Sequence, residues 1–134
     1  MSDFFLDKRL AAVTVHALDL PLSRVLVMDD ARFPWLVLVP RRPQLVEIFD
    51  LNPADRVMLT EELAIAGSQL KALTKCHKVN IANLGNGVPQ LHIHVIARNL
   101  GDAAWPVPVW GKGEAVPYDP KALEDFVQNV INMF

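Results

Sequence analysis

The clearest strand in this chain is Gln90-Leu91-His92-Ile93-His94-Val95-Ile96, in which apolar residues alternate with more polar ones. Side chains alternate between the two faces of a strand, so residues two apart share a face and lie about 6.5–7 Å apart. We predict that one face packs under helices and that the other lines a cleft. The first face carries Leu91, Ile93, Val95 and Ala97, and the second carries Gln90, His92, His94 and Ile96.

Two histidines on one face of a strand have three interpretations. They can face solvent without a role, act in catalysis, or chelate a metal, since imidazole is the commonest metal ligand. A zinc site needs at least three protein ligands, and the other soft side chains nearby, Cys76 and His77, fall at the end of a predicted helix. We therefore predict no metal and no other cofactor, with a metallohydrolase as a remaining alternative. The residues alone leave the choice between solvent exposure and catalysis open.

A hairpin is predicted upstream of this strand, over residues 24–39. Its arms, Arg24–Met28 and Trp35–Val39, are short apolar runs rich in β-branched residues, and Asp and Pro residues mark the turn between them. Pro40 and Pro43 end the second arm, because proline cannot donate a hydrogen bond to a neighbouring strand.

Two helices are predicted, each opened by a proline, which is favoured in the first turn because its missing N–H would be unpaired there. Asn52-Pro53 begins a long helix that runs to about Lys75, and Asp119-Pro120 begins a C-terminal helix. Between them lie a strand, Lys78–Asn83, and a turn, Leu84–Pro89, that leads into the histidine strand. Apolar residues recur at three- and four-residue steps, as Val57, Leu59, Leu63, Ala66, Leu70 and Leu73 in the first helix and Leu123, Phe126, Val127, Val130 and Ile131 in the second.

These elements make an α+β plan, with an antiparallel sheet of about five strands, one long helix and a C-terminal helix. The 134 residues fit a single domain, residues 1–134, and the formal net charge of -2 argues against a nucleic-acid partner. No apolar run approaches the ~20 residues that cross a bilayer, and no secretory signal is recognisable. The lone Cys76 cannot form an internal disulfide. We therefore expect a cytoplasmic protein that does not associate with membranes.

The histidine strand resembles the signature of the histidine-triad (HIT) family, in which three histidines alternate with apolar residues. The surrounding segments are similar to the family as well: Val37–Pro43 is a strand that ends in proline and basic residues, and Trp105-Pro106 follows the triad. The segment Val46–Asn52 most resembles the Fhit-like branch, which hydrolyses dinucleoside polyphosphates. The resemblance covers roughly residues 20–110, and it implies the HIT fold, a nucleotide substrate and a homodimer.

The resemblance also implies a mechanism. His92, the middle histidine, attacks the α-phosphorus of a purine nucleotide conjugate and forms a covalent nucleotidyl-imidazole that water hydrolyses. His94 donates to a phosphate oxygen, and N–H groups of the Gly87-Val88 turn hold the same phosphate. Asn83 matches a family position that reaches the phosphate. Asp29 matches the residue that hydrogen-bonds the ribose hydroxyls.

Two positions depart from the family pattern. Gln90 stands where the first histidine of the triad is expected, and its amide can orient the neighbouring side chains by hydrogen bonds but cannot titrate. Gly87 stands in a shortened turn where the family often has Ser or Thr, so one hydroxyl contact to phosphate is missing. These departures leave a second interpretation open, a nucleotide-binding module with weak or no turnover.

Overall fold

The strands predicted from alternation lie in one antiparallel sheet in the computed structural model, which describes residues 4–134. Within this part of the chain the sheet has five strands, in the order β1-β2-β3-β5-β4, which confirms the α+β plan. The elements are α1 (Lys8–Val13), β1 (Thr14–Asp19), β2 (Ser23–Met28), β3 (Trp35–Pro40), a 3₁₀ turn (Ile48–Asp50), α2 (Pro53–Thr74), β4 (Lys78–Ala82), β5 (Ile93–Arg98) and α3 (Pro120–Met133).

The first hairpin is present as predicted, with Ser23 paired to Pro40 and Val27 paired to Leu36. Every residue of β3 is buried, as its unbroken apolar sequence indicates. The two elements that precede this hairpin, α1 and β1, were not predicted from the sequence. Both are six residues long, and β1 lies at the sheet edge with a register break after His16, so neither shows a clear period.

Helix α2 begins and ends close to the predicted positions. The Asn52 side chain caps it by accepting from the Asp55 N–H at 2.8 Å, and Lys75 ends it in the left-handed conformation. The predicted apolar stripe is wrong at Val57, which is exposed because it lies two residues from buried Leu59 and so on nearly the opposite side of the helix. Leu73, at the margin of the stripe, is exposed as well.

The buried carboxylate of Glu62 lies on the face of α2 that packs against the sheet. Glu62 accepts from the N–H groups of Leu22 at 2.8 Å and Ser23 at 2.9 Å, and thereby holds the turn between β1 and β2. Because both oxygens are paired with backbone donors, this polar side chain is compatible with its apolar surroundings.

The sheet separates two apolar layers, and β5 contributes to both. Leu91 and Ile93 pack with Leu59 of α2, and Val95 and Ala97 pack with Ala66 and Leu70 of the same helix. Ile96 packs on the opposite face of the sheet. The predicted packing of Leu91, Ile93, Val95 and Ala97 under a helix is therefore confirmed, whereas Ile96 lies in an apolar layer and not at a cleft.

Strand β5 begins at Ile93, three residues after the predicted start at Gln90. Its first paired residue is Ile93, opposite Leu38, whereas the N–H of Leu91 donates to the Leu45 carbonyl at 2.9 Å. His92 consequently lies just before the paired part of the strand. Among the helices of residues 4–134, none has the length and hydrophobicity of a transmembrane span.

Candidate active site

The two histidines of the signature line one cavity at the start of β5. It has a volume of about 330 Å³ and is bounded by His92, His94, Trp110 and the loop Leu84–Val88. The imidazole rings of His92 and His94 are edge-to-face, with their centroids 5.0 Å apart. Each residue is only 5% exposed, so both rings are largely withdrawn from solvent yet border a cavity.

His92 has one ring nitrogen held by the main chain. Its Nδ1 lies 2.7 Å from the carbonyl oxygen of Gln90. A carbonyl only accepts, so Nδ1 carries a proton, and in the neutral ring Nε2 keeps an unshared electron pair. The hydrogen bond thus prepares Nε2 of His92 as a nucleophile.

His94 has the opposite arrangement. Its Nδ1 accepts from the indole Nε1–H of Trp35 at 3.0 Å, and an indole only donates. Burial, with a smaller effect from the neighbouring His92, lowers the pKa of His94 to about 4. The ring is therefore neutral at pH 7 and carries its proton on Nε2. It can donate a hydrogen bond to a phosphate without a formal positive charge.

The loop Leu84–Val88 passes close to the His92 ring because one of its residues is a glycine with positive φ. Gly85 has φ +79°, and a Cβ there would lie 3.1 Å from the Val88 oxygen and 4.0 Å from Cε1 of His92. Within residues 4–134, the N–H groups of Asn86, Gly87 and Val88 donate to no protein acceptor. Successive free N–H groups beside a cavity are suited to binding an anion.

The side chain of Gln90 does not orient the histidines, contrary to the prediction. Its Oε1 accepts from the Asp7 N–H at 2.8 Å, and its Nε2 donates to the Phe5 carbonyl at 2.8 Å. Arg9, in the same N-terminal segment, donates to the Gly87 carbonyl at 2.8 Å. Gln90 therefore contacts His92 through its main-chain carbonyl. Its side-chain amide instead holds the N-terminal segment, from which Arg9 contacts the loop Leu84–Val88.

A second cavity, of about 440 Å³, shares Trp110 with the first. Its lining is mainly apolar and includes Val13, Met28, Trp35 and Val109, with the Asp29 carboxylate at its wall. Oδ1 of Asp29 accepts from the Tyr118 N–H at 2.9 Å, and Oδ2 has no protein donor within residues 4–134. Trp110 borders both cavities.

The predicted site residues thus fall into three groups. His92, His94, Gly87 and Val88 surround one cavity, and Asp29 borders its neighbour. Gln90 and Asn83 line neither. Gly85 and Trp35 were not among the predicted site residues, and the role of Trp110 was left open between packing, a dimer contact and base stacking. Gly85 could have been found from the sequence, because it is a glycine in the turn just before the histidine strand. The two tryptophans come to the site only through the tertiary fold.

The residues considered as extra metal ligands lie away from the histidine pair. Cys76 is buried among the apolar side chains between the sheet and α2, on the opposite face from His92 and His94. His77 packs its ring against Trp105, with centroids 5.4 Å apart. Among residues 4–134, no three His, Cys, Asp or Glu side chains are grouped so as to hold a metal ion.

Comparison with known proteins gives a consistent result. The family model described as HIT domain matches residues 12–100. A histidine triad protein from Bradyrhizobium japonicum is 48% identical, with a TM-score of 0.95 and 97% of each chain covered. Histidine triad proteins from Sinorhizobium meliloti and Marinobacter aquaeolei are 42% and 39% identical, with TM-scores of 0.96 and 0.95. The first comparison covers 98% of both chains, and the second covers 97% of this chain and 95% of the other. No curated protein matches the chain.

Proposed function

The chain belongs to the HIT domain family, and from that premise we propose that it cleaves a purine nucleotide conjugate at the α-phosphate through a covalent nucleotidyl-histidine on His92. The observation that carries the proposal is the 2.7 Å contact between Nδ1 of His92 and the Gln90 carbonyl. In the neutral ring this contact places the lone pair on Nε2, and His92 borders a cavity whose loop Leu84–Val88 offers free N–H groups.

In the first step, the Nε2 lone pair of His92 forms a bond to the α-phosphorus. The bond from phosphorus to the leaving group breaks, and the leaving group departs with the electron pair and takes up a proton. The ring becomes positively charged while it holds the nucleotidyl group. The Gln90 carbonyl stabilises that charge through the hydrogen bond it already accepts from Nδ1–H.

In the second step, water attacks the same phosphorus and loses a proton, and the phosphorus–Nε2 bond breaks. The electron pair returns to Nε2, so His92 is regenerated and a nucleoside monophosphate is released. In both steps, negative charge develops on the phosphate oxygens. Nε2–H of His94 and the N–H groups of Gly87 and Val88 are the donors that we expect to stabilise it.

We expect the nucleoside to occupy the second cavity. Its apolar lining suits a purine, and the free Oδ2 of Asp29 can accept from a ribose hydroxyl. Trp110 borders both cavities, which is compatible with a ligand whose base and phosphate occupy neighbouring sites. The sequence of Val46–Asn52 favours a dinucleoside polyphosphate, and a nucleoside phosphoramidate is the alternative within the same chemistry.

The test is a panel of dinucleoside polyphosphates, nucleoside phosphoramidates and nucleotide sugars, with products separated by chromatography. Mass spectrometry of the protein after rapid acid-free quenching should find a nucleotidyl group on His92. His92→Asn should abolish turnover and the adduct while retaining the fold, and the exposed His16→Asn is the matched control.

Turnover that survived in His92→Asn would contradict the covalent mechanism. Tight nucleotide binding without turnover by the unaltered protein would instead support the alternative, a binding module. That alternative is motivated by Gln90, whose side chain bonds Phe5 and Asp7 rather than either histidine.

We also propose a homodimer. Strand β4 lies at one edge of the sheet, and Ile81 on it is 49% exposed, a site where a second chain can pair or pack. Sedimentation equilibrium should give twice the 14.9 kDa of one chain. Ile81→Glu should shift the mass toward that of one chain, and a single-chain mass for the unaltered protein would contradict the proposal.

A further inference from the structure

We propose that Trp35 is a positioning residue: its indole N–H holds the neutral imidazole of His94 in the tautomer that carries the proton on Nε2. The effect of this tautomer on catalysis rests on the proposed function. The tautomer itself is a property of the free protein.

The contact follows from the register of two adjacent strands. Trp35 of β3 pairs with Ile96 of β5, and His94 of β5 pairs with Val37 of β3. Trp35 and His94 are therefore diagonal neighbours on one face, a separation that a long aromatic side chain can span. Nε1 of Trp35 lies 3.0 Å from Nδ1 of His94.

The partner of Nδ1 determines where the His94 proton resides. An indole N–H can only donate, so Nδ1 must provide the lone pair, and a neutral ring then has its proton on Nε2. If Nδ1 carried the proton, two donors would face each other in a buried place. Neither Trp35 nor His94 is more than 6% exposed, so water does not compete effectively for this hydrogen bond.

The ring is also held against rotation that would exchange its two edges. Trp35 and Trp110 pack edge-to-face against it, with centroids 5.6 Å and 4.9 Å from that of His94. Because Nδ1 is engaged by Trp35, Nε2 is the ring nitrogen left to act in the cavity that His94 borders together with His92.

The consequence is that two neighbouring histidines have opposite tautomers. His92 is protonated on Nδ1 by its contact with the Gln90 carbonyl, and His94 is protonated on Nε2 by its contact with Trp35. One ring therefore offers a lone pair for attack and the other offers an N–H for the phosphate oxygen. If His94 took the other tautomer, its lone pair would face the phosphate and repel it.

The decisive measurement is heteronuclear NMR of the histidine side chains in the free protein near pH 7, because protonated and unprotonated ring nitrogens have well-separated ¹⁵N shifts. We expect His94 to show unprotonated Nδ1 and protonated Nε2. Trp35→Phe retains an aromatic ring but removes the donor, so His94 should become a mixture of tautomers. Trp105→Phe, which removes an indole packed on His77, is the matched control and should leave His94 unchanged.

Activity gives a second readout. On a substrate that the panel identifies, Trp35→Phe should lower kcat by about 10-fold or more, toward the ~10²-fold of a lost oxyanion donor. A protonated Nδ1 in the unaltered protein, or an unchanged His94 tautomer in Trp35→Phe, would overturn the inference. The spectrum of the unaltered protein decides the tautomer even if the variant fails to fold. If no substrate is turned over, the proposed function fails while the NMR result still decides the role of Trp35.

Discussion

At the scale of single residues, the site depends on which neighbour each polar side chain has. His92 and His94 are chemically identical and two positions apart, yet a carbonyl faces one Nδ1 and an indole faces the other. Gln90 is a similar case, because its carbonyl serves the site while its amide serves the N-terminal segment. Each of these assignments leads to a measurable expectation.

The lowered pKa of His94 makes stability depend on pH in the weakly acidic range. The folded pKa is about 4, and the unfolded value is about 6.5, so the unfolded chain binds this proton first as the pH falls. The stabilisation is complete above pH 6.5 and decreases by about 3 kcal/mol between pH 6.5 and 4. Urea unfolding of the wild type and His94→Phe over this range should show a steeper decline for the wild type. Parallel declines would contradict the assignment.

The amide of Gln90 should stabilise the N-terminal segment. Gln90→Leu removes both hydrogen bonds at similar volume, and the free energy of unfolding should fall by about 1–3 kcal/mol. Because Asp7 N–H loses its acceptor, its hydrogen exchange should accelerate. Gln128→Leu, on the exposed surface of α3, is the control and should leave Asp7 unaffected. Unchanged exchange at Asp7 in Gln90→Leu would show that the amide contributes nothing to this segment.

At the scale of elements, β5 has two different faces with different roles. His92 and His94 border the cavity, whereas Leu91 and Ile93 pack with Leu51 and Leu59 beneath the sheet. The rigidity of the apolar face fixes the positions of the imidazoles on the other. The strand therefore contributes to the apolar core and also supports the site.

A pair of isoleucine truncations tests this division. Ile93→Ala creates a cavity in a place that is 2% exposed and should cost about 2–5 kcal/mol of unfolding free energy. Ile48→Ala makes the same chemical change at a position that is 41% exposed and should cost under about 1 kcal/mol. Chemical denaturation of both variants provides the comparison. Equal losses would mean that Ile93 is not a core residue of the sheet.

At the scale of the whole molecule, a buried arginine joins separate parts of the chain. Arg98, at the end of β5, makes two hydrogen bonds to Asp102, one to Asn80 of β4 and one to the Val107 carbonyl. The loop that follows β5 is thereby fixed to the sheet, and this loop continues to Trp110, which borders both cavities. The guanidinium is the main reason that the pKa of Asp102 is well below its usual range.

Removing the carboxylate that pairs with Arg98 should be costly. Asp102→Ala leaves a buried cation without its partner, and we expect a loss of about 3–5 kcal/mol of unfolding free energy. Asp125→Ala breaks an exposed pair with Lys121 and should cost under about 1 kcal/mol. The comparison is by urea denaturation at pH 7, and similar losses for the two variants would refute the structural role of Arg98. Because the folded pKa of Asp102 is lowered, its stabilisation is present at neutral pH and decreases as the pH falls through the acidic range.

The sequence by itself determined the features that depend on local periodicity and on the residues that begin or end helices and strands. A few neighbouring residues encode each of three such features: the two faces of β5, the Asn52 cap of α2 and the β2–β3 hairpin. These features, and the α+β fold that they indicate, could therefore be predicted from the sequence. Only the tertiary structure decided the partners of Gln90 and His94, which lie 83 and 59 residues away along the chain. It also decided that β1 forms one edge of the sheet and that Trp110 borders two cavities. The physical reason is that a hydrogen bond between distant residues depends on strand register and on shared burial, and neither is written in the residues of one segment.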